Sequence, residues 1–497
     1  MRLAVLAVAV CVVLSGCATP FALPSDGDAE GTDAGDGTGS DGVQSEESES
    51  AAVVHEERAD PETDRIGWEN GYWDDDPVAV NATDGLDGSE RKAVIARAMA
   101  RVETVRNLEF EQSVNVTVES RSNFSERFGS EETNETLRQF DNAKFEALFL
   151  IGNDENSIDT QSANRNQTVA GFYSPGREAI VIVSDSRSPQ LDGERTLAHE
   201  LVHALQDQQF DLAQSETPRT RDAYNARNGL VEGDARAVER AYLDRCGEDW
   251  SCLPGASPDG GNGDGEQPSI HLGVYVLSFF PYSDGPGLVA HLRDGDDWSA
   301  VDDAFGDPPT SSAEVIFPEK YGSFERADVE LRDRAGGGWE RVRPPDRPDH
   351  GVLGPSALTA MFGYTLYDQY NRSSAVEPAE FLNTDAGSVN TSDPFNYGLA
   401  PLQGWQGDRL HVYERGGETA YVWRLAWASP EDARLFADRH RAVLSHWGGE
   451  EVADGVWIIE EDSPFAGAVA VEVEGGTVTV VGAPDRDALG DVHQGAG

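Results

Sequence analysis

The segment ERTLAHELVHALQDQQF spans residues 194–210 and contains neither proline nor glycine. Leu197, Leu201 and Leu205 recur within it at four-residue spacing, which is the pattern of a helix that buries one stripe of its surface. The segment therefore predicts an amphipathic helix. The two histidines and the glutamate inside it are candidates for a metal site, which would need a further ligand from elsewhere in the fold.

His199 and His203 are four residues apart on this predicted helix, so their imidazoles project from one face and lie one above the other. That spacing suits two ligands of a single metal ion. Glu200 projects alongside, where it can hydrogen-bond a metal-bound water and accept its proton. The alternative is a pair of satisfied histidines on a surface helix, and a third ligand decides between the two.

A second helix is predicted to supply that ligand. Thr217-Pro218 has the form of an N-cap followed by proline at the first helical position, and an apolar face continues to about Arg245. Glu232 lies on this helix beside Gly233, whose lack of a side chain lets two helices approach closely. Two histidines and one glutamate leave a fourth position open for water, which is the arrangement of a catalytic zinc site. The sequence therefore predicts one zinc ion per chain.

Helical spacing also suggests which residues surround the metal. Asn228 and Arg236 each lie four positions from Glu232 and are candidates to orient its carboxylate, with ordinary surface polar residues as the alternative. A hairpin predicted from residues 168–173 and 178–183 precedes the histidine helix. We expect it either to offer an edge strand to an extended peptide or to be plain sheet core. A donor for the oxyanion is also expected, and the candidates are Tyr173, Tyr224 and Tyr321.

The chain resembles a known family at these same residues. HELVHALQDQQFDL at residues 199–212, with EGDA at 232–235, is similar to the gluzincin-type zinc metallopeptidase-like domain of uncharacterised secreted prokaryotic proteins. The haloarchaeal surface-lipoprotein branch of that family fits best. The likeness covers about two thirds of the chain and continues in FPYSDG at 280–285, WSAV at 298–301, PPTSSAE at 308–314 and FPEKY at 317–321.

This resemblance implies a gluzincin-like fold, with His199, His203 and Glu232 as zinc ligands and Glu200 as the general base. One departure matters, because relatives often carry His-Pro where this chain has Phe317 before the proline. If that histidine binds the substrate or the oxyanion, this chain has lost the group. Two functions are therefore expected: a zinc metallopeptidase that hydrolyses peptides or proteins, or a non-catalytic structural or binding lipoprotein that keeps the peptidase-like fold.

The N-terminus predicts export to the cell surface. An apolar run at residues 3–14 is too short to span a bilayer, so residues 1–17 are interpreted as a signal peptide. Small residues before Cys17 resemble a lipobox, which implies cleavage there and a lipid anchor on the thiol; a released product is the alternative. Residues 18–64 are rich in Gly, Asp, Ser, Glu and Thr, and we expect a disordered acidic linker.

Acidic residues dominate the whole chain. It carries 90 Asp and Glu against 38 Lys and Arg in 497 residues, for a formal net charge of −52. This charge argues against nucleic-acid binding, because the phosphates would be repelled. Concentrated salt relieves such self-repulsion, so we expect a halophile's protein outside the cytoplasm, with an acidic surface for solubility as the alternative. Sequons that fit glycosylation there lie at Asn81, Asn115, Asn123, Asn134, Asn166, Asn371 and Asn390.

The folded part is predicted to be α+β and to contain two units. Residues 65–400 form a mainly helical metallopeptidase-like domain with a small hairpin or sheet, and residues 401–489 form an α+β accessory module. The sequence does not specify an oligomeric state.

Two cysteines and two histidines outside these motifs are interpreted as structural. Cys246 and Cys252 are expected to form a local disulfide, because five residues separate them and the mature chain keeps no other cysteine except Cys17. His440 and His446 are expected on the solvated face of a helix in the accessory module. None of these residues is assigned to the metal.

Overall fold

The computed structural model describes residues 61–80, 85–128, 134–186, 193–214, 217–253, 270–295, 297–368, 370, 372–385, 387–390 and 393–495. The predicted signal peptide, Cys17 and nearly all of the predicted linker lie outside these residues, as do the sequons at Asn81 and Asn371. Within the described part of the chain, no helix is both long enough and apolar enough to cross a membrane.

Most of the described helices precede residue 400, and most of the described strand residues follow it. The helices are α1 (Gly88–Arg106), α2 (Arg121–Phe128), α3 (Glu135–Ala147), α4 (Ser157–Thr168), α5 (Arg195–Phe210), α6 (Arg221–Arg245), α7 (Leu272–Leu292), α8 (Ser299–Gly306), α9 (Ser312–Ile316), α10 (Gly354–Tyr364), α11 (Pro378–Phe381), α12 (Pro430–His446) and α13 (Arg486–Val492). The strands are β1 (Trp68–Glu69), β2 (Tyr72–Trp73), β3 (Asn115–Glu119), β4 (Gly171–Ser174), β5 (Ala179–Val183), β6 (Glu340–Arg341), β7 (Thr384–Asp385), β8 (Ser388–Val389), β9 (Trp405–Arg415), β10 (Glu418–Trp427), β11 (Gly449–Ala453), β12 (Val456–Ile459), β13 (Gly467–Glu474) and β14 (Thr477–Ala483).

The strands near the C-terminus form one large antiparallel sheet. Its order is β11-β12-β13-β14-β10-β9-β6, so it takes in β6, which precedes residue 401, the predicted start of the accessory module. A smaller sheet with the order β3-β5-β4 precedes α5; β3 is parallel and β4 antiparallel to β5. This arrangement is a mixed α and β architecture compatible with the predicted α+β class.

The predicted elements around the histidines are present with shifted ends. The predicted helix at residues 194–210 is α5, and the predicted hairpin consists of β4 and β5, joined by a 3-10 turn at Pro175–Arg177. The helix expected to start at Thr217-Pro218 starts instead at Arg221, so that prediction is wrong. Thr220 is its N-cap, because its side-chain oxygen accepts a hydrogen bond from the backbone N–H of Ala223.

Buried ion pairs tie α1 to the next long helices. Arg97 and Arg101 each contact one oxygen of Glu194, at 2.7 and 2.8 Å, directly before α5. Arg106 contacts Asp234 on α6, with 2.8 Å between Nε and Oδ1. A buried charge is costly unless it is paired, so these contacts fix where α5 and α6 lie relative to α1.

A disulfide bond joins Cys246 to Cys252 just after α6. The loop that it closes carries Trp250, whose ring lies 4.9 Å from the guanidinium carbon of Arg101. Because Arg101 also pairs with Glu194, the loop packs against the same buried charges that anchor the start of α5.

Glycines allow α6 and α7 to cross at close range. A Cβ placed on Gly233 would lie 2.3 Å from the carbonyl oxygen of Gly285, and one on Gly285 would lie 2.3 Å from the carbonyl oxygen of Gly229. No side chain fits in such a gap. The close approach predicted at Gly233 is therefore made with α7, not with the histidine helix, because Gly229 and Gly233 share the face of α6 that packs on α7.

The buried face of α12 corrects the prediction for His440 and His446, both of which are buried rather than solvated. His440 lies between the rings of Phe149 and Phe436, with centroids at 5.9 and 5.8 Å. Its position four residues after Phe436 places it on the helix stripe that packs inward. Nε2 of His446 lies 2.8 Å from a carboxylate oxygen of Asp368, so this buried ring nitrogen has a hydrogen-bond partner.

Replacing Gly233 with alanine should disrupt the crossing of α6 and α7. The new methyl group would meet a backbone carbonyl that cannot rotate away, so we expect the free energy of unfolding to fall by about 1–3 kcal/mol. Gly287→Ala is the matched control, because Gly287 is exposed on α7 with nothing near a Cβ, and alanine favours helix there. Denaturant titration in concentrated salt measures both; equal stability of the two variants would contradict the crossing.

Replacing His440 with leucine should change how stability depends on pH. Burial, and then Arg441, lower the pKa of His440 from 6.5 to about 3. The depressed folded-state pKa means that this group's contribution is fully present above pH 6.5 and is lost as pH falls towards 3. From pH 7 to pH 5 the wild type should therefore lose roughly 2 kcal/mol more than His440→Leu. Denaturant midpoints measured at both pH values test this, and parallel losses would contradict it.

Candidate metal centre

Three potential metal ligands meet where α5 packs against α6. His199 and His203 lie on α5 and Glu232 lies on α6, with exposures of 1%, 3% and 0%. Nε2 of His199 is 3.2 Å from Nε2 of His203 and 3.2 Å from Oε2 of Glu232. Nε2 of His203 is 3.4 Å from the same oxygen. The structure thus brings together the three residues named from the sequence, in a buried group that could hold a metal ion.

The spacing of these three atoms fits ligation of one ion. Nitrogen and oxygen ligands lie about 2.0–2.2 Å from zinc, so two ligands at a tetrahedral angle are separated by roughly 3.3–3.6 Å. The observed separations of 3.2 and 3.4 Å are close to this range. In addition, Oε1 of Glu232 is buried without a hydrogen-bond partner, which is costly for a carboxylate that binds nothing further.

The ionisable groups of the cluster stabilise each other's charge. Burial lowers the pKa of His199, but hydrogen bonds to Glu232 and Glu239 outweigh it and raise the pKa to about 10. Burial also opposes the charge on His203, yet Glu232 raises its pKa. Burial would raise the pKa of Glu232, but the two histidines lower it to about 2. A metal ion has to displace protons from such a cluster, so its affinity should fall as pH is lowered.

Two residues that the sequence analysis missed orient the imidazoles. A carboxylate oxygen of Glu239 lies 3.1 Å from Nδ1 of His199, and the side-chain oxygen of Gln206 lies 2.9 Å from Nδ1 of His203. When Nδ1 donates to such an acceptor, Nε2 is left with its lone pair directed at the metal position. Glu239 could have been found from its spacing, because it lies two helical turns after Glu232.

The two residues predicted to orient Glu232 have other partners. Arg236 donates to both carboxylate oxygens of Glu239 at 3.0 Å, so it acts on the residue that holds His199. Asn228 shares a hydrogen bond with the hydroxyl of Tyr224, one turn before Glu232. The hydrogen bonds of Glu232 are instead with the two histidines. Arg236 therefore acts on the site indirectly, because it holds Glu239, which in turn contacts His199.

Glu200 lies beside the ligands, with one carboxylate oxygen hydrogen-bonded and the other without a hydrogen-bond partner. Its Oε2 accepts a 2.8 Å hydrogen bond from the backbone N–H of Tyr173 on β4, and its Oε1 is buried without a hydrogen-bond partner. The contact comes from the main chain, so no side-chain pattern in the sequence signals it. Because β4 lies at one edge of the small sheet, Glu200 sits at the edge of that strand.

Two of the three candidate oxyanion donors are engaged elsewhere. The hydroxyl of Tyr173 donates to Asp207 at 2.9 Å, and that of Tyr321 donates to the carbonyl of Asp307 at 2.6 Å. An aromatic ring, that of Tyr282, stacks on His199 with 6.1 Å between centroids. Tyr282 belongs to the FPYSDG segment but was not singled out from the sequence.

Phe317 directly follows α9, next to the helix that carries Glu232. Its neighbour Val315 packs against Gly229, one turn before Glu232 on α6, and Lys320 lies 4.4 Å from the centre of the Phe317 ring. Phe317 thus follows a short helix that packs on α6, and its own ring lies against Lys320.

Glu239→Gln should weaken metal binding while leaving the three ligands in place. The substitution removes the negative charge that holds Nδ1–H of His199, and we expect metal affinity to fall about 10- to 100-fold. Competition with a chromophoric chelator in concentrated salt measures that affinity. Glu248→Gln is the matched control, because Glu248 is exposed beyond the end of α6. Unchanged affinity in Glu239→Gln would show that the contact does not support the centre.

Comparison with known proteins adds one finding. Residues 340–493 match a family model described as a domain of unknown function (DUF8575). This region covers the large sheet with α10 and α12, and it does not include the ligands on α5 and α6. No curated protein and no solved structure matches the chain.

Proposed function

We propose that this chain is a zinc-dependent peptide hydrolase with a gluzincin-type catalytic domain. The observation that carries the proposal is the convergence of His199, His203 and Glu232 with Glu200 at their side. Two imidazoles and one carboxylate are a donor set suited to zinc, and three protein ligands leave a position open, as catalysis requires. A closed structural site has no need of the additional carboxylate of Glu200.

Zinc, Glu200 and Tyr173 would have separate roles in catalysis. Zinc, when bound, would supply Lewis-acid chemistry that polarises a peptide carbonyl and activates water near neutral pH. Glu200 would accept a proton on Oε1, its unpartnered oxygen, and later return that proton to the leaving amine. Tyr173 would keep the carboxylate from rotating, because its backbone N–H holds Oε2.

The small sheet is the proposed docking place for the substrate. β4 is an edge strand, and the N–H of Tyr173 points away from β5 to reach Glu200. An extended peptide that paired with this edge as a further strand would run past Glu200. This supports a peptide or protein substrate bound in extended conformation.

The proposed setting is the outer face of the membrane. The apolar run before Cys17 and the small residues beside it support export and lipid anchoring, and the acidic composition of residues 18–64 supports a solvated tether. The net charge of −52 supports an environment of high salt. The enzyme would then act on peptides or proteins outside the cell.

A second candidate function is a binding or structural lipoprotein that retains the metal but does not cleave. Two observations favour it. Phe317 stands where the related sequences often have histidine, and the ligands and Glu200 are nearly fully buried. The intact Glu200 favours the hydrolase.

Glu200→Gln separates the two functions. We expect protein purified in concentrated salt to contain about one zinc per chain and to cleave members of a quenched fluorescent peptide library. Removal of a general base should lower kcat about 10²- to 10⁴-fold while zinc content is retained. Glu248→Gln, the exposed control, should cleave as the wild type does. Zinc retained in the wild type with no turnover on any library would support the binding function.

A further inference from the structure

A cavity on the large sheet has an unusual lining for so acidic a chain. Its volume is about 360 Å³, and it lies between β10, the start of β14, the segment at residues 328–334 and the residue that follows α13. Its cationic and histidine lining consists of Arg332, Arg334, Arg424 and His493, and two acidic residues, Asp328 and Glu330, share it. None of these residues belongs to the metal centre.

The register of the sheet explains how Arg424 comes to line this cavity. Trp423 and Leu425 belong to the main core that includes α12, whereas Arg424 alternates to the opposite face. Further along that face, Val422 is covered by α13 and Trp339. The cavity forms where this apolar cover ends. Arg424 lines it from β10.

The three arginines have no carboxylate within ion-pair distance among the described residues. Arg332, Arg334 and Arg424 make no salt bridge there, and the nearby Asp328 pairs with Arg409 at 3.7 Å instead. The chain has 90 acidic residues against 38 basic ones, so acidic partners are abundant and their absence at three neighbouring arginines is selective. Clustered guanidinium groups repel one another unless an anion lies between them.

His493 adds a neutral polar group to this lining. Its Nδ1 is buried without a hydrogen-bond partner. Burial lowers the pKa of His493, and the positive charges of Arg334 and Arg424 lower it further, whereas the negative charge of Glu472 opposes them. At neutral pH the ring can therefore donate one hydrogen bond without adding a further positive charge.

We propose that this cavity binds a small organic anion through its oxyanion group, with Arg334 and Arg424 as the recognising residues. A planar guanidinium binds carboxylate, sulfate or phosphate oxygens in pairs, which a point charge does not do. The volume is in the range of ligand pockets and suits a body the size of one sugar. This site is independent of the metal centre and of the proposed hydrolase activity.

The test is calorimetric titration of the full chain in concentrated potassium chloride with four probes. Glucose 6-phosphate, glucose 6-sulfate and glucuronate carry the three kinds of oxyanion on one sugar body, and glucose is the neutral control. We expect at least one charged probe to bind and glucose not to bind. The charged probe that binds most tightly identifies the oxyanion.

Variants connect that binding to the cavity. Arg424→Met should lower the association constant about tenfold or more, because it removes a charge-assisted hydrogen-bond donor. Arg334→Met should do the same, and because Arg334 is exposed, that variant is expected to stay folded. Arg441→Met is the matched control, since Arg441 lies on α12, which packs on the opposite face of the sheet. The proposal is overturned if no charged probe binds more tightly than glucose, or if both cavity variants bind as the wild type does.

Discussion

Buried ion pairs hold together the helices around the candidate metal centre, in a chain with a large excess of acidic residues. Removing one partner of a buried ion pair costs about 3–5 kcal/mol, so each pair fixes the helices that carry it. Glu232 follows the same rule, but its cations are two histidines, which can exchange protons for a metal ion. The buried pairs are Glu194 with Arg97 and Arg101, Asp234 with Arg106, and Glu239 with Arg236.

The local parts of the site could be predicted from the sequence, and the long-range parts could not. His199 and His203 follow from four-residue spacing on a helix, which is independent of the rest of the fold. Glu232 could be named because a third ligand had to come from another helix, and α6 was the nearest one. Tyr173 contributes a backbone N–H to Glu200, for which side chains carry no signal. The prediction of a solvated His440 is wrong, because the sequence does not show which residues pack against its side of the helix.

The large sheet is joined to the helical body by polar as well as apolar contacts. Asp408 on β9 accepts hydrogen bonds from the backbone N–H groups of Leu353 and Gly354 at 2.9 and 3.0 Å, where α10 begins. The same carboxylate accepts one from the indole of Trp423 on β10. Burial raises the pKa of Asp408 to about 6, against the effect of these donors. The proposed anion cavity thus lies on a sheet that these hydrogen bonds attach to the body carrying the candidate metal centre.

The central claim is that α5 and α6 together hold one metal ion through two imidazoles and one carboxylate. X-ray absorption spectroscopy at the metal edge tests it most directly, on protein purified in concentrated salt and loaded with zinc. The account predicts about one zinc per chain, with two imidazole nitrogens and carboxylate oxygen at about 2.0–2.2 Å. A chain that retains no metal, or a zinc shell without imidazole scattering, would contradict it.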